Sequence, residues 1–128
     1  MTKKILITGA GGFVGSYLIK ELQKDESNEI YGSVYKSTSD ITNLLPKDHI
    51  LTGDLTQKEV AESHVKAAMP DVIYHLAALS VVHNSTSNAL VTLQGNTAIS
   101  YNLFEAIREY APSARTIAVC SANVYGSV

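Results

Sequence analysis

The sequence predicts an α/β fold: a doubly wound parallel sheet with strand order 3-2-1-4-5, incomplete on its C-terminal side. Three observations carry this expectation. Strand-like and helix-like segments alternate along the whole chain. The strands are short, continuous apolar runs, as suits strands covered on both faces. The first strand runs directly into a glycine-rich turn and then a helix, Lys4-Ile5-Leu6-Ile7-Thr8-Gly9-Ala10-Gly11-Gly12-Phe13-Val14-Gly15.

The elements follow in order. Strand 4–8 precedes the turn, and a helix is expected over 12–24, with Val14, Leu18 and Leu22 four apart and Lys20, Glu21, Gln23 and Lys24 opposite. Strand 29–35 leads into a loop-like stretch over 36–48, interrupted by a short helical turn near 41–45. Strand 49–52 and helix 57–68 come next, then strand 71–76 and helix 87–110, and strand 115–121 is fifth. In the long helix Asn96, Ser100, Leu103 and Ile107 share one face at spacings of three or four. Right-handed crossovers then place a ligand cleft across the carboxyl ends of the strands, where the order reverses between strands 1 and 4.

Composition bounds the function. The chain has 128 residues, 45% of them apolar, and a formal charge of −2, which suits one globular domain. There is no basic excess, so nucleic acid is not an expected partner. No apolar run reaches membrane-spanning length, and the N-terminus lacks a secretory signal pattern. A cytoplasmic location is the expectation. The lone Cys120 lies in the apolar run Ile117-Ala118-Val119-Cys120 and is expected to be a buried, inert thiol. His49 and His64 read as surface residues, His75 as a packed or hydrogen-bonded structural residue, and no His, Cys and carboxylate spacing suggests a metal site.

The glycine turn carries the chemistry. The chain must turn sharply out of the strand, and its backbone must then approach a pyrophosphate with no Cβ in the way. Helix-start N–H groups and the helix dipole face the phosphates. Strand, turn and helix together separate a dinucleotide fingerprint from a chance string of glycines. Gly9, Gly11, Gly12, Phe13, Val14 and Gly15 are therefore candidate cofactor residues. The second strand ends Val34-Tyr35-Lys36-Ser37, without the acidic residue that usually binds a ribose 2′-hydroxyl in NAD-preferring sites. Lys36 and Ser37 suit a 2′-phosphate instead, hence NADP, with NAD as the second choice; a solvated loop lysine is the other reading of Lys36. Asp54 can accept a hydrogen bond from an adenine amino group with Leu55 packed on the ring, or Asp54 or Thr56 can open the following helix.

Thr8-Gly9-x-x-Gly12-x-x-Gly15 resembles the fingerprint of the extended short-chain dehydrogenase/reductases, the NAD-dependent epimerase/dehydratase family. Gly53-Asp54-Leu55-Thr56, His75-Leu76-Ala77-Ala78, Asn96 and Ser121-Ala122-Asn123-Val124-Tyr125-Gly126 resemble later elements of the same family in the same order. The texture is most similar to GDP-mannose 4,6-dehydratases and related GDP-sugar 4-reductases. The resemblance implies a Rossmann domain, a nucleotide-sugar substrate, and hydride transfer at sugar C4 by a dehydratase, reductase or epimerase. It implies cofactor contacts at Leu76, Ala77 and Ala78 and a supporting role for Asn96 near the catalytic end. A satisfied structural amide tying helix to sheet is an equal and compatible reading of Asn96. The resemblance also implies substrate contacts at Ser80 and Ser85 and a catalytic Ser121. It admits a homodimer of the full-length enzyme.

Two departures qualify the resemblance. Ser80-Val81-Val82-His83-Asn84-Ser85 lacks the family's histidine in its usual slot. The family's Tyr-x-x-x-Lys pair is absent from 1–128, and Tyr125 belongs to the Val-Tyr-Gly segment. The expectation is an N-terminal part of a Rossmann domain over 1–128, inactive alone, without a substrate domain, and with part of the fifth strand and one sheet face exposed. The alternative is a non-catalytic dinucleotide-binding or redox-sensing module.

Overall fold

The computed structural model describes residues 1–36, 41–79 and 88–126, with only the backbone given at Ala122 and Asn123. Strands β1 (Lys3–Thr8), β2 (Asn28–Val34), β3 (Ile50–Thr52), β4 (Val72–His75) and β5 (Arg115–Ala118) form one sheet in the order β3-β2-β1-β4-β5. Every pairing is parallel. Helices α1 (Phe13–Leu22), α2 (Lys58–Ala68) and α3 (Ala89–Tyr110) make the crossovers. This is the expected doubly wound Rossmann sheet, reversing between β1 and β4.

The period of two along β1 divides the core. Leu6 packs with Ile73, Val65 and Leu103 beneath α2 and α3. Ile5 and Ile7 pack with Ile19, Ile30 and Val34 on the α1 side. Leu6, Ile7, Ile19, Ile73 and Leu103 are fully buried. Each such side chain contributes about 1.5–3 kcal/mol by leaving water. The turn expected near 41–45 is present: the Leu44 and Leu45 amides donate to the Ile41 carbonyl at 2.9 and 3.0 Å. It forms there because Ile41 and Leu45 fill the α1-side core.

Four expectations need correction. The core stripe of α1 is centred on Gly15 and Ile19, while Val14 is 60% exposed. A spacing of four drifts by about 40° per step on a helix of 3.6 residues per turn, which carries Val14 off the buried face. His64 is buried, because it shares the Ala61–Val65–Ala68 face of α2. His49 is half-buried. Its ring stacks on Tyr31 with centroids 4.3 Å apart, and its Nδ1 lies 3.0 Å from the Ile30 carbonyl. Cys120 is exposed: the strand ends at Ala118 rather than at 121, and its own residues are already mostly exposed.

The fifth strand is exposed, as expected. It contributes no described residue to either buried core. Ile117 stands beside Tyr74 in register, on the α1 side, and is 39% exposed.

Candidate cofactor cleft

The glycine turn is fixed by three glycines with different duties. Gly9 has φ +69°, and a Cβ there would lie 2.9 Å from the Ala77 nitrogen, so the fold itself demands glycine. A Cβ on Gly15 would run into the Gly9 carbonyl oxygen and the Ala10 backbone, so glycine there lets α1 seat on β1. Gly12 is exposed, and its Cβ would meet only the Gly9 carbonyl oxygen, at 3.3 Å. That contact is tight but the least severe of the three, and Gly12 lines the cleft. Gly12 also caps α1, with no side-chain cap and no acidic residue in the first turn. The first-turn amides of a helix have no partner within the helix. Here they belong to residues that line the cleft.

The cleft has a volume of about 620 Å³, within the range of small-molecule sites. Gly9, Gly11, Gly12, Phe13, Val14 and Gly15 line its centre. Tyr35 and Lys36 after β2, and Asp54 and Leu55 after β3, line one side. Leu76, Ala77, Ala78 and Leu79 after β4 line the other. The sheet thus gathers these segments at the carboxyl ends of β1 to β4, at the reversal of strand order. Ser37, Ser80 and Ser85 lie outside the described residues. Asn96 and Ser121 are not among the lining residues.

The individual groups are held as follows. Lys36 is exposed and carries its Nζ 5.2 Å from the centroid of the Tyr35 ring, a cation–π pair at the end of β2. Asp54 Oδ1 accepts the Thr56 amide at 2.9 Å and the Thr56 hydroxyl at 2.7 Å. Asp54 therefore folds the turn before α2 while facing the cleft, and the helix N-cap itself is Gln57. Leu55 is 6% exposed, and its carbonyl accepts from Asn102 Nδ2 at 3.1 Å. Asn96 clamps the cleft wall: its Oδ1 accepts the Leu79 amide at 2.6 Å and its Nδ2 donates to the Leu79 carbonyl at 3.3 Å. Ser121 is exposed, just before the short 3-10 turn Ala122–Tyr125, and its carbonyl accepts the Val124 amide at 3.2 Å.

Two buried polar networks support the cleft. Thr8 Oγ1 lies 2.7 Å from His75 Nδ1, and His75 Nε2 lies 3.0 Å from Ser100 Oγ. His75 is thus the hydrogen-bonded structural residue that was expected. Ser33 Oγ lies 2.9 Å from His64 Nδ1. Burial pushes the pKa of both histidines down. Sequence reading missed Thr8, Ser33 and Ser100 as members of these networks. A signal existed for one: the β1–β4 register sets Thr8 opposite His75. Among the described residues, no group of three His, Cys, Asp or Glu side chains could hold a metal ion. No described helix is long and apolar enough to cross a membrane.

Comparison with known proteins agrees with this geometry. The family described as NAD dependent epimerase/dehydratase matches residues 5–128. An uncharacterized UDP-glucose epimerase of Bacillus subtilis is 34% identical over 96% of this chain and 41% of its own length. The dTDP-D-glucose 4,6-dehydratase of Dictyostelium discoideum is 31% identical over 98% of this chain and 30% of its own. The Thermus thermophilus UDP-glucose 4-epimerase, solved in complex with NAD, superposes with a TM-score of 0.73 at 29% identity, over 83% of this chain and 34% of that one. The chain therefore spans less than half the length of these relatives. With its cleft at the reversal of the sheet and its match from Ile5 to the last residue, the chain belongs to the NAD dependent epimerase/dehydratase family.

Proposed function

We propose that this chain is the dinucleotide-binding portion of an enzyme that acts on a nucleotide sugar by hydride transfer at sugar C4. The observation that supports it best is the contrast within the glycine turn. Gly9 and Gly15 are packed against neighbouring backbone, whereas Gly12, with a single tighter-than-usual contact, is exposed at an uncapped helix start inside a cleft of suitable size. In this reading Gly9 to Gly15 surround the pyrophosphate and Asp54 and Leu55 receive the adenine. Leu76, Ala77 and Ala78 lie along the ribose and nicotinamide. Asn96 keeps that wall in place through Leu79. Ser80 and Ser85 contact the sugar nucleotide, and Ser121 positions a sugar oxygen. When bound, the dinucleotide supplies reversible hydride transfer.

The cofactor is read as NADP. Lys36 presents a cation to the cleft at the end of β2, with Ser37 beside it in sequence, and Tyr35 holds the ammonium by its ring face. The substrate is read as a GDP-sugar, and the reaction as 4,6-dehydration or 4-reduction. No tyrosine of 1–128 has a lysine four residues on, so the chain by itself is expected to turn over no nucleotide sugar.

The test is titration of folded wild type and Gly12→Val with NADPH and NADH, with circular dichroism as the folding control. A branched side chain at residue 12 should weaken binding at least about tenfold, or about 1.4 kcal/mol. Equal affinities in two equally folded proteins would rule out this site. Lys36→Asp should weaken NADPH more than NADH, since it turns an attraction into a repulsion. A wild type that prefers NADH would sink the NADP assignment.

A further inference from the structure

His75 is buried, lies beneath the cleft, and takes no part in the roles assigned above. Its surroundings fix where its protons are. A hydroxyl has one proton to give and two lone pairs to accept with. Thr8 Oγ1 accepts the Ala77 amide at 3.1 Å and shares the Leu76 amide, 3.2 Å away, with the Thr8 backbone carbonyl, also at 3.2 Å. The Thr8 proton is therefore left for His75 Nδ1, 2.7 Å away. In that arrangement Nδ1 is a bare acceptor and the ring proton belongs on Nε2, which lies 3.0 Å from Ser100 Oγ. A proton on Nδ1 would compete with these two amides for the lone pairs of Thr8 Oγ1.

This chain of bonds ends at the cleft. The amides held by Thr8 belong to the wall that lies directly against the glycine turn, where the Ala77 nitrogen is 2.9 Å from the place of a Gly9 Cβ. One turn earlier on α3, Asn96 holds the same wall at Leu79. Helix α3 thus fixes the segment 76–79 at two points, one direct and one relayed through His75.

We propose that His75 is a positioning residue for dinucleotide binding, locked as the neutral Nε2–H tautomer, whose Nδ1 acceptor orients Thr8 and so sets the wall 76–79 against the glycine turn. This rests on the reading of the cleft as a dinucleotide site.

Two substitutions separate this role from packing. In His75→Asn the side-chain oxygen can stand near the former Nδ1 and accept the Thr8 proton. In His75→Gln the amide reaches toward the former Nε2 and leaves Thr8 without its acceptor, although Gln fills the space better. If Nδ1 is what matters, Asn should keep NADPH or NADH affinity within about threefold, and Gln should lose about tenfold or more. The opposite ranking, following volume, would overturn the positioning role. The tautomer is read independently from long-range nitrogen–proton spectra of ¹⁵N-histidine-labelled wild type, with the His75 signals assigned by their loss in His75→Asn. A protonated Nε2 and a bare Nδ1 are expected at neutral pH. A proton on Nδ1 would overturn the inference even if the affinities behaved. A wild type that binds neither dinucleotide would overturn the cleft reading and the affinity claim together, and the spectrum alone would then decide the tautomer.

Discussion

The two sides of the sheet differ sharply. At β1 both faces are covered, and Leu6, Ile7 and, on β4, Ile73 are wholly out of water. At β5 the α1-side face is open, with Ile117 39% and Val119 64% exposed. The cleft borrows almost nothing from the open side. Its lining comes from the turn, the ends of β2 and β3, the exit of β4 and Ile99 of α3. Residues proposed to place the dinucleotide are thus anchored to a buried core, whereas the segment bearing Ser121 follows an exposed strand.

Paired truncations would break that comparison if it is wrong. Ile73 and Ile117 lie on neighbouring strands, one fully buried and one not. Ile73→Ala should cost about 3 kcal/mol, the loss typical of emptying a closed core. Ile117→Ala should cost about half as much, about 1.5 kcal/mol, because part of its side chain never leaves water. Urea unfolding followed by circular dichroism measures both. Similar losses would mean that β5 is covered in solution.

The closed half can also be probed with acid. Burial holds His64 and His75 below the usual histidine value of 6.5. The unfolded chain then binds more protons than the folded one between the two values, so stability rises with pH across that interval. The contribution is complete above about pH 6.5 and is lost as pH falls below it. His64→Phe should lower the plateau, because Ser33 loses its partner, and should flatten this acid limb. The check is the urea midpoint measured from about pH 5.5 to 7.5, a window chosen around the histidine range. An unchanged slope in the variant would show that His64 is not the group being titrated.

Much of this was legible in the sequence because the residues involved encode backbone requirements. Gly9 and Gly15 announce a turn and a close helix approach, and alternating apolar runs announce a parallel sheet. The turn at Ile41–Leu45 was legible for the same reason. The misreadings share another cause. By polarity His64 reads as a surface residue, although it falls three residues after Ala61 and four before Ala68, on the same helical face. Periodicity would have found it, had polarity not been allowed to decide. Cys120 was taken for a buried residue from an apolar run, but such a run does not reveal whether a helix covers its face. The Thr8–His75–Ser100 relay spans separations of 67 and 25 residues. Only strand register and helix placement bring those groups together.

The smallest expected effect is at the far end of β5. Cys120 is exposed, and its Sγ lies 3.9 Å from the Ala118 carbonyl, a long contact. Replacing it by serine removes no buried surface and changes one small polar group for another. Cys120→Ser should therefore shift stability by less than about 0.5 kcal/mol. The same exposure predicts that the thiol of the native protein reacts with an aromatic disulfide reagent without prior unfolding. The informative comparison is the rate in buffer against the rate in urea. On an open strand the two should agree within a few-fold, and added urea below the unfolding transition should hardly matter. A thiol that reacts only as the protein unfolds would place Cys120 under a cover. The contrast between the closed and open sides of the sheet would then fail at its most exposed point.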